Sequence, residues 1–200
     1  MKVFFTASYH GKEKYQKNYD VVRNTIKLFK VELVSPEENN YHLMLDTREQ
    51  KIFSNPDLLR TDKFWHYEAI RNGIHWAEAV IIEISQEDFQ LGHEVSLALM
   101  EKKPVLCLSV NDDFSKKIHH DYFFAAKYSS SNIQAIIQDF FAKVRSLTLS
   151  RRFNLFLYPH QVDYLEKVAK KYGTNMSEYI RKLIDIDRRG ALEQGQSDNS

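Results

Sequence analysis

Residues 79–109 read AVIIEISQEDFQLGHEVSLALMEKKPVLCLS, and this stretch decides the fold. Ala79-Val80-Ile81-Ile82-Glu83-Ile84 is almost wholly apolar, as a strand covered on both faces must be. Val95 to Met100 reads as helix. Pro104-Val105-Leu106-Cys107-Leu108-Ser109 is another buried strand, with its proline at the first position, where a missing N–H does least harm. Two apolar strands separated by a helix make a parallel pair with a right-handed crossover.

The alternation continues outward in both directions. Val3 to Ala7 is a buried-strand candidate, and Gly11 to Lys30 places Tyr15, Tyr19, Val22, Ile26 and Phe29 on one helical face. Val31 to Val34 is a short strand stopped by Ser35-Pro36. Residues 37–56 are polar and poorly periodic, with a turn at Asn55-Pro56. Helix resumes through Phe64, Tyr67, Ile70 and Ile74. A weaker strand near Phe123 to Tyr128 and a helix over Ile133 to Val144 close the unit. Residues 1–147 therefore read as an α/β domain, a doubly wound parallel sheet of the flavodoxin or Rossmann kind.

The remainder has a different grammar. Arg152 to Tyr158 alternates, with Phe153, Leu155 and Leu157 on one side and Arg152, Asn154 and Phe156 on the other. Pro159 suits a first helical turn, Gly173 suits a left-handed C-cap, and Asn175 to Glu178 is a variant capping box ahead of a second helix. Residues 151–187 thus form a strand-helix-helix unit, and 188–200 read as a disordered tail. Units below about 40 residues seldom bury enough apolar surface to fold alone. A second copy supplying an identical strand is the simplest remedy, so a homodimer joined through this unit is expected; folding back on the N-terminal domain is the alternative.

Composition narrows the function classes. Of 200 residues, 43% are hydrophobic and 28% charged, and the net charge is +1, so no bulk field steers the chain toward nucleic acid. Mean hydropathy is −0.49, and no run approaches the roughly 18 apolar residues of a membrane span. Cys107 is the one cysteine, which excludes an intrachain disulfide and a cysteine zinc cluster and fits a reducing, cytoplasmic compartment. The N-terminus reads as a strand and not as a signal peptide.

Ligands of doubly wound sheets bind beyond the carboxyl ends of the strands. Three segments fall there: Thr6 to Lys12, Ser85 to Glu94 and Ser109 to Ser115. None holds a GxGxxG fingerprint, a P-loop or a GxSxG elbow, so no cofactor is expected. His119-His120 beside Asp112-Asp113 lacks metal-ligand spacing, so no metal is expected. Gly92-His93-Glu94 is the informative piece. A glycine there allows a ligand to approach closely, and a helix dipole favours a carboxylate in a first turn.

Residues 1 to about 145 resemble the nucleoside 2-deoxyribosyltransferase family and its relatives, the deoxynucleoside 5′-monophosphate N-glycosidases. Phe4-Phe5-Thr6-Ala7-Ser8 followed by Gly11 looks like the family's first strand and substrate loop. Trp76 to Ser85 looks like its third strand, and Gly92-His93-Glu94-Val95 with Ala98 and Lys103 to Leu108 looks like its glutamate motif and next strand. The resemblance implies that Glu94 is a nucleophile that attacks the anomeric carbon, as in retaining glycosidases. It implies cleavage of an N-glycosidic bond, or deoxyribosyl transfer, on a nucleoside or nucleotide. Ser8, Tyr9, Gly11, Tyr19, Gly92, Ser109 and Asn111 are then candidate substrate contacts. The family's acidic partner on the preceding helix is replaced by Ile70, and the aspartate before the third strand by Glu78. His66, one helical turn before Ile70, is the candidate substitute.

Residues 151–187 resemble the ribbon-helix-helix family through Phe153 to Leu157 and Tyr172 to Arg181. That resemblance implies a strand-paired dimer whose ribbon enters the major groove, with Arg152, Asn154 and Phe156 facing DNA. Phe156 is an unusual outward residue there. Residues 150–200 carry nine Lys and Arg against seven Asp and Glu, a modest charge for DNA binding. Two readings follow: a dimeric N-glycosidase or transferase, and a nucleotide-sensing DNA-binding regulator with weak or no turnover.

Overall fold

The computed structural model describes residues 1–53, 64–147 and 154–197. The first unit runs β1 (Lys2–Ala7), α1 (Lys12–Lys27) and β2 (Glu32–Val34), followed by 3-10 turns at Pro36–Glu38 and Tyr41–Met44. It continues with α2 (Thr47–Phe53), α3 (Phe64–Trp76), β3 (Ala79–Glu83), α4 (Phe89–Met100), β4 (Val105–Ser109), β5 (Phe123–Lys127) and α5 (Ile133–Leu147). The strands form one sheet of order β2-β1-β3-β4-β5, and every pair is parallel. This is the flavodoxin-like doubly wound order.

The period-two alternation of the strands sorts their side chains onto two faces. Phe4, Val80, Ile82, Val105 and Cys107 join Ile70 and Ile74 of α3 and Leu91, Val95 and Ala98 of α4 in one core. Val3, Phe5, Ala79, Ile81, Leu106 and Leu108 join Val22 and Ile26 of α1 and Ile137, Phe140 and Phe141 of α5 in the other. Every residue of β3 and β4 is buried, as strands covered on both sides require. Cys107 lies in this packing, and burial pushes its thiol up to about 12, so it is an inert core residue.

Two elements depart from the sequence expectation. Residues 37–53, the described part of the stretch expected as irregular, fall largely in the two 3-10 turns and α2, with Tyr41 and Leu45 buried in the core. Their anchors are too few and too closely spaced to show a 3.6 period. The turn expected at Asn55-Pro56 lies outside the described residues. The helix expected to open near Gly92 begins at Phe89, capped by Asp88, whose side chain accepts from Gln90 N at 2.9 Å. Glu94 therefore lies beyond the first turn, where the helix dipole has little hold on it.

Contacts divide the chain into two compact units, Met1–Leu149 and Ser150–Ser200. The second holds α6 (Pro159–Lys171) and α7 (Met176–Ser197). Gly173 adopts φ +64° and closes α6 in a Schellman turn, with Thr174 N donating to Ala169 O at 2.9 Å. Asn175 Oδ1 accepts from Glu178 N at 2.9 Å and caps α7. α7 runs on to Ser197, through the stretch expected to be disordered. Residues 154–158 form no strand. A strand is defined by the ladder it makes, and among the described residues this segment makes none. Arg152 lies outside the described residues. Asn154 and Phe156 are exposed, Phe156 by 98%.

Glycines mark where backbones come close. A Cβ on Gly73 of α3 would meet the Phe4 ring at 2.3 Å, whereas one on Gly92 of α4 would meet nothing within 4 Å. Gly73→Ala should lower stability by about 1–3 kcal/mol through overpacking. Gly92→Ala should raise it by up to about 1 kcal/mol through helix propensity. Thermal or denaturant unfolding of the two variants checks both signs.

Candidate active site

Between β1 and β3 the winding of the sheet reverses, and α1 and α4 leave the carboxyl ends of these strands toward opposite faces. The gap between them is a cleft lined by Thr6, Ser8 and Tyr9 from β1 and its loop, and by Asp88 and Gln90 at the start of α4. Lys12, Glu37, His66 and Ile70 complete its sides. The recess itself is about 60 Å³, and its mouth brings the unfilled space to about 400 Å³. A larger groove of about 320 Å³ runs between β5 and α5, but only Asp139 and Lys143 are charged there. The smaller recess gathers more titratable side chains, among them Lys12, Glu37, His66 and Asp88.

Glu94, the expected nucleophile, does not itself line the recess, but Gln90, which hydrogen-bonds to it, does. Leu91, Glu94, Val95 and Ala98 are the buried stripe of α4, so the carboxylate occupies a position that spacing assigns to an apolar residue. Glu94 is 1% exposed. Gln90 Nε2, one turn earlier, donates to Glu94 Oε1 at 3.0 Å, while Oε2 is buried with no hydrogen-bond partner. Burial pushes its carboxyl up to about 7, against the opposing pull of the Gln90 and Thr6 side chains and with a small further push from the Asp88 charge. Thr6 and Gln90, the polar groups beside it, both line the recess.

Asp88 holds this geometry together. One carboxylate oxygen caps α4 through Gln90 N, and the other accepts from Ser8 Oγ at 2.8 Å. The loop after β1 and the start of α4 are thereby tied across the cleft. Asp88 was not singled out from the sequence. Its signal was an aspartate two residues before Gln90 N at the opening of a helix, an N-cap position.

The structure brings together only some of the expected site residues. Ser8, Tyr9 and His66 line the recess. Gly11 is buried just below, where a Cβ would lie 2.1 Å from Tyr19 Oη and 2.7 Å from Gln86 Cβ, so its smallness serves packing. Gly92 faces open space on the outer side of α4 and does not line the recess. Tyr19, Ser109 and Asn111 do not line the recess. Tyr19 is fully buried. Ser109 Oγ accepts from Asn111 N at 3.1 Å, and Asn111 Nδ2 donates to Ser85 O at 2.8 Å and Tyr15 Oη at 3.0 Å. These groups lock the loops after β3 and β4 to each other. Buried Glu83 belongs to the same lock, accepting from Tyr128 Oη at 2.9 Å and from the Ser85 hydroxyl.

Glu78 lies at the far end of the sheet, because it precedes β3. It accepts from Lys2 N at 2.6 Å and pairs with the N-terminal ammonium at 3.9 Å. Ile70, 2% exposed, forms an apolar wall where the family resemblance places an acid. Among the described residues no group of three or more His, Cys, Asp or Glu is placed to hold a metal, and no helix is long and apolar enough to cross a membrane.

No family model and no curated protein matches this chain. Among solved structures, it is similar to a 2-deoxyribosyltransferase from Bacillus psychrosaccharolyticus at 17% identity and a TM-score of 0.41, covering 67% of this chain and 90% of that one.

The raised carboxyl has a consequence for folding. An unfolded glutamate ionises near 4.5, the folded one near 7, so the folded state holds the extra proton between these values. Stability is therefore lost as pH rises from about 4.5 to 7 and stays reduced above. Glu94→Gln removes that dependence. Relative to wild type, the unfolding free energy of the variant should improve by up to about 3 kcal/mol between pH 4.5 and 8. Paired denaturant titrations at the two pH values read the change independently of any constant packing offset.

Proposed function

We propose that the first unit cleaves the N-glycosidic bond of a nucleoside or nucleotide, with Glu94 as the nucleophile, by hydrolysis or by transfer of the deoxyribosyl group. The observation that carries this reading is Glu94 Oε2, a buried carboxylate oxygen without a partner beside a recess at the switch point of the sheet. A buried anion costs free energy unless a counter-charge meets it. The anomeric carbon of a sugar losing its base develops positive charge, and that carbon supplies the missing partner in the transition state. The carboxylate oxygen forms a bond to C1′ as the C1′–N bond breaks, and the broken bond's electron pair leaves with the base. Water or a second base then displaces the ester. Ser8 and Asp88, joined at 2.8 Å, stand at the rim as hydrogen-bonding groups for sugar hydroxyls. The low-dielectric floor of the recess strengthens each of these interactions.

The assembly that fits this protein is a homodimer through the second unit. Among its described residues only Leu165 and Ala169 are buried apolar groups, while Leu155, Phe156, Tyr164, Leu183, Ile184 and Ile186 are exposed. A second copy supplies both a cover for this surface and a partner for the unpaired segment 154–158.

Two experiments test these readings. Chromatography should show free base released from 2′-deoxynucleosides or their 5′-monophosphates by wild type, with a loss of about 10³-fold or more for Glu94→Ala. Equal background from both proteins would discard the glycosidic reading. Light scattering of the full chain should give twice the chain mass, and Ile184→Glu should shift it toward one; a monomeric wild type ends the dimer proposal.

A further inference from the structure

A base that leaves with an electron pair needs a donor, and the wall where the family resemblance expects an acid is Ile70. One turn before it, His66 lines the same recess. Its Nδ1 lies 2.8 Å from Tyr41 Oη, and the two rings meet edge to face with centroids 5.4 Å apart. Tyr41 is held in the core by the 3-10 turn at Tyr41–Met44, 25 residues before His66 in the chain. The contact thus joins the segment after β2 to the first turn of α3.

Resting on the glycosidic reading above, we propose that Tyr41 and His66 form a donor dyad for the leaving nucleobase: the Tyr41 phenol donates to Nδ1, which fixes the proton on Nε2, and Nε2–H donates to a ring-nitrogen or carbonyl acceptor of the base. His66 is the catalytic residue of the pair, because it touches the substrate. Tyr41 acts through it as a positioning residue. Glu94 forms its bond to C1′, the C1′–N electron pair goes to the base, and Nε2–H stabilises the negative charge that develops there. The base takes its proton from water on release.

The surroundings suit this role. Burial holds the imidazole below its ordinary range, which keeps it neutral with one N–H, and burial pushes the Tyr41 phenol up to about 12, which keeps its proton on oxygen. The other titratable walls have separate engagements. Lys12 Nζ pairs with Glu37 at 2.8 Å, and Asp88 is tied to Ser8. Tyr9 is 77% exposed at the mouth, without the confinement that would orient its hydroxyl.

The dyad makes a prediction about leaving groups. 2′-Deoxyguanosine expels an anionic base, whereas N7-methyl-2′-deoxyguanosine expels a neutral one that needs no donor. On the first substrate His66→Leu should lower kcat by about 10²-fold or more. On the second, corrected for spontaneous loss, it should lower kcat less than about tenfold. His66→Gln, which keeps an N–H donor, should recover most of the difference. Tyr41→Phe should lie between, and ¹⁵N spectra should show His66 protonated on Nε2 in wild type and as mixed tautomers in that variant. Equal losses on the two substrates, or a wild-type proton on Nδ1, would overturn the dyad while leaving Glu94 untouched. A wild type that releases base from neither substrate would remove the glycosidic reading and the dyad with it.

Discussion

A parallel sheet must be covered on both faces, and its crossovers can supply the cover only by leaving some strand ends toward one side and some toward the other. In this protein the reversal falls between β1 and β3. The chain goes outward from β1 to β2, then returns across the sheet to β3 and continues to β4 and β5. α1 packs with α5 on one face, and α3 with α4 on the other. No crossover covers the strand ends at the reversal, so a recess there follows from the topology. The site proposed for the first unit is built around that gap.

What makes the gap chemically distinctive is a conflict within α4. Its inner stripe must be apolar to cover the sheet, yet the stripe contains Glu94. Burial raises the carboxyl, and only Gln90 and Thr6 moderate the effect. Such a position is expensive in stability. Asp88 caps α4 at one oxygen and grips Ser8 with the other, which fixes the start of the helix that carries Glu94. A second network, through Glu83, Ser85, Asn111 and Tyr128, anchors the neighbouring loops and leaves the recess free of their side chains.

The two units contrast in how much apolar surface they close by themselves. The first completes two cores, one on each face of the sheet. The second has well-made local signals: a proline at the first turn of α6, a left-handed glycine at its end and an asparagine cap on α7. Its apolar residues nonetheless remain largely at the surface. Local capping specifies helices, but only a facing surface buries them.

Legibility in the sequence tracked the range of the interaction concerned. The apolar runs of β3 and β4, the amphipathic period of α1 and α5 and the Gly173 cap are short-range patterns, and they were readable directly. Spacing alone places Glu94 on the inner stripe of α4, and it was visible only through a resemblance to a family motif. The turns around Tyr41 were not, because their burial comes from contacts with α3. Ser109 and Asn111 stand at an expected strand end, but hydrogen bonds between distant loops draw them away from the recess, and Tyr19 is packed inside the buried face of α1. The sequence by itself determined that the strands are parallel and covered on both faces, since hydropathy and spacing encode burial locally. Only the tertiary structure decided which polar groups meet across the recess. Ser8 and Asp88 are 80 residues apart and Tyr41 and His66 are 25 apart, and distances of that kind are set by how the helices pack on the sheet.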